Sequence, residues 1–274
     1  MLSRPTLKLL GVDFTSAPRP RKPITIARGR LHGARLALQR LDTVVDFGGF
    51  EALLREPGPW VGAFDFPFGL PRELIGALGW PHQWLPLMRH YGTHERHQLS
   101  RIFAAFRATR PAGSKWAHRA TDLPAGASPS MRDVNPPVAF MMHAGVPRLI
   151  DAGVHLPRLH DGDTLRVALE GYPGFLARQL IQRRSYKNDQ RSKQTPERLI
   201  ARKDIVDALE LGRPAWLGVR LALSHAQRDA LVADASGDLL DALLCLMQAA
   251  WASTQPDWGL PPQVDPLEGW IVGA

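Results

Sequence analysis

Leu7-Lys8-Leu9-Leu10-Gly11-Val12-Asp13 is the stretch on which the fold turns. Its apolar run is nearly unbroken and ends on a carboxylate, which reads as a buried strand over residues 6–13. Downstream, Ile24 to Leu31 and Arg35 to Leu41 alternate apolar and polar residues around His32-Gly33, the signature of a hairpin. Phe47 to Arg55 reads as a short amphipathic helix stopped by Pro57-Gly58-Pro59. Trp60-Val61-Gly62-Ala63-Phe64-Asp65 is a second buried strand, and it too ends on a carboxylate. Strand, hairpin, helix and buried strand in that order predict an α/β protein, a mixed central sheet flanked by helices.

The rhythm then breaks. Residues 72–163 hold helical stretches at about 72–79, 82–90 and 95–106, followed by a Pro/Gly/Ser-rich connection around 110–137. Apolar content there is thin, so the segment reads as a helical and loop insertion after the fourth strand of a single domain spanning 1–274. The sheet resumes at Thr164-Leu165-Arg166-Val167-Ala168-Leu169-Glu170. A helix follows from Gly174 to about Arg184, then a polar break, then a helix that begins at Pro196. Ser224 and Ser236 are candidate N-caps for the last two helices, and Leu267 to Val272 reads as a final strand.

At 45% hydrophobic and 22% charged residues, a 274-residue chain has the material for a substantial core. A single cysteine excludes a disulfide framework and any cysteine-based zinc site, and Cys245 within Leu243 to Met247 reads as a packed thiol. No apolar stretch reaches the roughly 18 residues of a membrane span. The N-terminus lacks the pattern of a secretion signal, so the expected location is cytoplasmic. The net charge of +8 is unevenly spread. Residues 82–119 carry +6 and residues 178–203 carry +7, leaving −5 on the remainder. Basic segments beside an acidic core are the pattern of a protein that handles a polyanion; the bland reading is two solvated arginine-rich faces.

Four acids carry the chemistry. Asp13, Asp65 and Glu170 each end a strand, and Asp241 opens the apolar helix that runs to Trp251. Carboxylates delivered to one sheet edge without compensating basic neighbours are costly unless divalent cations neutralise them. Oxygen-only donors suit Mg²⁺ or Mn²⁺, the ions of phosphodiester displacement. Each acid has a plainer reading: turn closure for Asp13 and Asp65, a buried pair with an arginine for Glu170, and helix-dipole compensation for acids in the first turn, Asp238 above all. Lys187, Arg191 and Lys193, in the polar loop from Tyr186, are candidate phosphate contacts, as is Arg119 in the basic insertion. His94-Glu95-Arg96-His97 lacks a third zinc ligand and reads as a surface pair. Neither a glycine-rich nucleotide loop ending in Lys-Ser/Thr nor a serine nucleophile elbow is present.

Gly11-Val12-Asp13, Phe64-Asp65-Phe66-Pro67-Phe68-Gly69-Leu70-Pro71, Glu170-Gly171-Tyr172-Pro173 with Tyr186-Lys187, Asp241-Ala242 and Glu268-Gly269-Trp270-Ile271 occur in that order. Over nearly the whole chain this resembles the domain-of-unknown-function family numbered 429, regarded as predicted nucleases. The resemblance implies a ribonuclease-H-like fold whose first strand carries Asp13, with Asp65, Glu170 and Asp241 completing the acidic cluster. Two departures stand out: the 82–137 segment is larger and more basic than the family pattern, and Asp13 is followed by Phe14-Thr15-Ser16-Ala17 instead of a glycine-rich turn.

The expectation is therefore a Mg²⁺- or Mn²⁺-dependent nuclease acting on DNA or RNA, with Asp13, Asp65, Glu170 and Asp241 as catalytic metal ligands. Its rival is a nucleic-acid-binding protein on the same fold with a degenerate acidic site. A sugar or acetate kinase relationship is disfavoured, because such enzymes need two such domains and glycine-rich phosphate loops.

Overall fold

In the computed structural model, which describes residues 7–274 apart from the side chain of Arg191, seven strands form one mixed sheet. The chain order begins β1 (Lys8–Asp13), β2 (Ile24–His32), β3 (Arg35–Val44), α1 (Phe47–Leu54) and β4 (Trp60–Phe64). Thr6, read as part of the first strand, lies outside the described residues. Helices α2 (Arg72–Leu78), α3 (Trp84–Gly92), α4 (Arg96–Ala108), α5 (Asp122–Ala125) and α6 (Val138–Asp151) come next. Strands β5 (Val154–His155) and β6 (Asp163–Glu170) lead to α7 (Pro173–Ile181) and α8 (Pro196–Glu210). The chain closes with β7 (Arg220–Ala222), α9 (His225–Ala233) and α10 (Asp238–Ala252).

Across the sheet the order is β5-β6-β4-β1-β2-β3-β7. β1, β2 and β3 form an antiparallel meander, whereas β1, β4, β6 and β5 run parallel and β7 joins β3 in parallel. The hairpin turns at Gly33, whose φ of +57° is a conformation glycine adopts without steric cost. Alternation along β1 divides its side chains between two cores. Leu10 and Val12 pack with α1 and the helices after β4, while Leu9 packs with α7, α8 and α10.

Gly11 explains how α10 seats on the sheet. A Cβ there would lie 2.1 Å from the carbonyl oxygen of Ala242 and 2.1 Å from the amide nitrogen of Leu246. Only a hydrogen in place of a side chain lets the helix backbone come this close to the strand. α10 itself is buried almost all round, Asp241 and Cys245 included. That burial agrees with a packed thiol.

Several expectations need correction. The segment after β4 is an integral layer of the fold: Trp84, Leu87, Met88, Tyr91, Leu99, Phe103, Met131 and Met142 are all buried in the same core as β1 and β4. Its apolar residues recur at helical spacing among arginines and histidines, which dilutes them in a composition count but not on the inner face. Helix α6 was not foreseen, because Gly145 and Pro147 lie inside it. Ser224 caps α9, accepting from the Gln227 amide at 3.2 Å. Ser236 does not cap α10; the cap is Gly237 in the left-handed region, and the Leu239 amide donates to Asp234. The C-terminal segment makes a single bridge, Glu170 to Ile271, in place of a strand.

Candidate metal centre

β1 and β4 are parallel neighbours, so their C-terminal ends deliver Asp13 and Asp65 to the same edge of the sheet. The Asp65 amide donates to the Val12 carbonyl at 2.9 Å, continuing the ladder by one residue beyond β4. α10 begins at that edge, and its contact with Gly11 sets Asp241 beside Asp13. One oxygen of each of Asp13, Asp65 and Asp241 lies within 4.8 Å of the other two. Among the described residues this is the one group of three or more His, Cys, Asp or Glu with metal-ligand spacing.

Glu170 stands apart from the three. Arg119 grips it with two guanidinium nitrogens at 2.6 and 2.8 Å, and the Phe68 amide donates to it at 2.9 Å. Glu170 is 3% exposed, held on both oxygens by a guanidinium as a buried arginine pair, and lies outside the group of carboxylates with metal-ligand spacing. Arg119 is corrected with it. This side chain is buried, also bonds Asp122 and the Glu268 carbonyl, and presents no surface to a phosphate. Burial works against its charge, but Glu170 and then Asp122 outweigh that and raise its pKa above the ordinary arginine value. Glu268 ties the same region together, accepting from the amides of Arg72 and Ala120.

The acidic edge also has basic neighbours, contrary to the sequence reading. Lys187 is ion-paired with Asp241, and Tyr186 donates its hydroxyl to the other Asp241 oxygen at 2.5 Å. Lys22 bonds Asp238 at 2.7 Å and Asp189 at 3.3 Å. Lys187 therefore faces the carboxylates, with 43% of its side chain exposed at the edge of the cluster. Lys193 is exposed and away from the cleft described below, and the side chain of Arg191 lies outside the described residues. Two residues that sequence reasoning missed position this corner. Lys22 neutralises Asp238, and buried Arg202 donates to the Tyr186 carbonyl at 2.8 Å, holding Tyr186 and Lys187 against α10. Each sits beside another cation (Arg21-Lys22 and Arg202-Lys203), so neither stands out from its basic surroundings in the sequence.

Crowding three acids in a half-dry site perturbs them all. Burial, then Asp241, Asp238 and Asp65, push the Asp13 carboxyl well above its ordinary value. Burial, then Asp241, push Asp65 up to about 7. Asp241 is also raised by burial, although Lys187 and Tyr186 pull it back. Loss of water counts against the Lys187 ammonium, but Asp241, Tyr186 and Asp13 more than compensate and hold its pKa well above the usual lysine value.

This donor set fits a hard divalent cation. The donors are carboxylate oxygens without sulfur or imidazole, the preference of Mg²⁺, Mn²⁺ or Ca²⁺ over zinc. Oxygens on opposite sides of such an ion stand about 4–5 Å apart, twice the metal–oxygen distance. The three oxygens, all within 4.8 Å of one another, are close enough for one such ion to reach.

A cleft of about 740 Å³ opens over Asp13 and Asp65. Its walls come from the start of α6 (Pro136, Pro137, Val138, Met141) and from α7 with the turn after it (Arg178, Ile181, Arg183, Arg184).

The chain matches no family model, no curated protein and no solved structure. The site must therefore be read on its own chemistry. No helix among the described residues is long and apolar enough to cross a membrane.

Proposed function

We propose that this protein is a metal-dependent phosphodiester hydrolase acting on nucleic acid, with Asp13, Asp65 and Asp241 as the ligands of Mg²⁺ or Mn²⁺. The observation that carries the reading is the convergence of those carboxylates, from two parallel strand ends and one helix start, with Asp13 and Asp65 lining a cleft that also holds lysine and arginine side chains. An antiparallel three-stranded meander followed by parallel strands on the side of β1 is also the strand order of ribonuclease-H-like proteins, with which this sheet is compatible.

In such a site a bound divalent ion polarises the scissile phosphate and lowers the pKa of water. This chain supplies the rest. Tyr186 orients Asp241 by its hydroxyl bond, and Arg202 holds Tyr186 in turn. Lys187 balances the charge of Asp241 at the edge of the cluster. Glu170 and Arg119 brace the strand end and the segment after β4.

The Lys187–Asp241 pair favours one rival reading, a nucleic-acid-binding protein whose acidic cluster is neutralised internally by lysine. Labelled DNA, RNA, hybrid and junction substrates, incubated with Mg²⁺, Mn²⁺ or chelator, separate the two. Cleavage that needs the metal and disappears in Asp13→Asn establishes the hydrolase. Salt-sensitive binding without cleavage, kept in Asp13→Asn, establishes the binding protein.

A further inference from the structure

The cleft differs from a surface that tracks a double helix. Its 740 Å³ is the size of a small-ligand site, in the range of about 300–1,000 Å³, and it holds one or two nucleotide units. One wall is apolar: Pro136 and Pro137 are exposed, and Val138 and Met141 are half-buried. The wall from α7 and the turn after it carries arginines beside Ala177 and Ile181. Arg178 lies over the Tyr172 ring at 5.5 Å, bonds its hydroxyl at 3.0 Å and donates to the Gly174 and Ala125 carbonyls at 3.1 and 3.2 Å, with no carboxylate partner among the described residues. Arg183 is exposed and makes no ion pair or side-chain hydrogen bond among the described residues. Arg184, Lys22 and Lys187 are each paired with an acid, so among the described residues Arg178 and Arg183 are the cleft's guanidiniums whose charge no carboxylate balances.

We infer that the cleft takes one unpaired nucleotide unit, its base on the wall of Pro136, Val138 and Met141 and its phosphate between Arg178, Arg183 and the carboxylates. An apolar platform opposite guanidinium groups is how proteins hold unpaired bases, because every base has a stackable face and every nucleotide an anionic link. In a duplex the same faces are already stacked on their neighbours and closed to the wall. The inference rests on the reading of the cluster as a phosphodiester site and narrows its substrate to a strand end, an unpaired segment or a free nucleotide.

The test is fluorescence anisotropy of the full chain in Ca²⁺, with labelled single strands, 3′-overhang duplexes and blunt duplexes of equal length. Cleavage is read separately in Mg²⁺ and Mn²⁺. The expected result is at least tenfold tighter binding of single strands and overhangs than of blunt duplex. Arg183→Glu, an exposed change that leaves the core alone, and Met141→Asp should each weaken single-strand binding at least tenfold. Competition by a nucleoside monophosphate as strong as that of the oligonucleotide identifies a free nucleotide as occupant; weaker competition identifies a strand. Competition by inorganic phosphate equal to that of the nucleotide removes the base wall from the argument and overturns the inference. Blunt duplex bound or cut as well as single strands overturns it too, while leaving the hydrolase standing. Selective single-strand binding without cleavage does the reverse.

Discussion

The carbonyl oxygen of Ala242 stands 2.1 Å from the place a Cβ on Gly11 would take. Helix α10 thus rests on the bare backbone of β1, and Asp241, adjacent to Ala242, becomes a neighbour of Asp13, the next residue after Gly11 on that face of the strand. The geometry of the acidic cluster is set at this contact, one residue from Asp241 and two from Asp13.

Gly11→Ala should therefore be severe. The obstacle is backbone on both sides, which has no rotamer to give, so the loss belongs at or above the upper end of the roughly 1–3 kcal/mol typical of overpacking. Chemical denaturation should show it, together with weaker divalent-ion stabilisation as Asp241 is pushed off Asp13. An unchanged midpoint would mean that α10 is not seated on β1 as described.

The raised carboxyl of Asp65 gives a pH dependence of definite sign. The folded protein holds this proton up to about pH 7, whereas the unfolded chain releases it near the ordinary 3.8. Between those values the folded state binds more protons, so metal-free stability falls as pH rises and levels off above about 7. In Asp65→Asn that contribution is absent. The thermal midpoint of the variant, measured in chelator, should gain on wild type from pH 4 to pH 7 and then run parallel to it. Divalent ions should stabilise wild type progressively more over the same interval, because they bind the ionised carboxylates.

Lys187→Met removes the cation paired with Asp241 and leaves a fully buried carboxylate uncompensated. We expect lower stability in chelator and a larger rise in midpoint on adding Mn²⁺ than wild type shows. If Mn²⁺ stabilises both proteins equally, Lys187 and the ion do not serve the same carboxylate.

Tyr186→Phe takes away the hydroxyl that donates to Asp241. A hydrogen bond to a charged group contributes about 1.5–3 kcal/mol, and that loss should appear in urea denaturation with the fold otherwise intact. Isothermal titration should also show weaker metal binding, since Asp241 loses its orientation.

Arg119→Met strands Glu170 and Asp122 in the core, and breaking a buried pair from one side costs roughly 3–5 kcal/mol. Arg119→Lys should rescue little, because one ammonium cannot reach Glu170, Asp122 and the Glu268 carbonyl together. The urea midpoints of the two variants test this, and full rescue by lysine would refute the multi-point role given to the guanidinium.

Much of this could be read along the chain where the cause is local. The buried strand to Asp13, the hairpin around Gly33, the helix start at Pro196 and the cap at Ser224 all follow from short-range rules, and all appear. Helix α6 escaped because Gly145 and Pro147 are helix breakers by those same rules. Its glycine answers a distant need: a Cβ there would lie 2.6 Å from the Phe66 ring. β7 escaped because three residues carry no period.

By itself, then, the sequence determined the α/β alternation, the strands that end on Asp13 and Asp65, and the helix that starts near Asp241, because propensity and periodicity act over a few residues. Which acids share a site was decided only by tertiary structure. Asp13, Asp65 and Asp241 meet because β1 and β4 are parallel neighbours and α10 closes on Gly11. Glu170, also at a strand end, is claimed by Arg119, a residue 51 positions away. Local pattern can show that a carboxylate is buried; its partner is a matter of long-range packing, and here Arg119 holds Glu170 apart from the three carboxylates that converge.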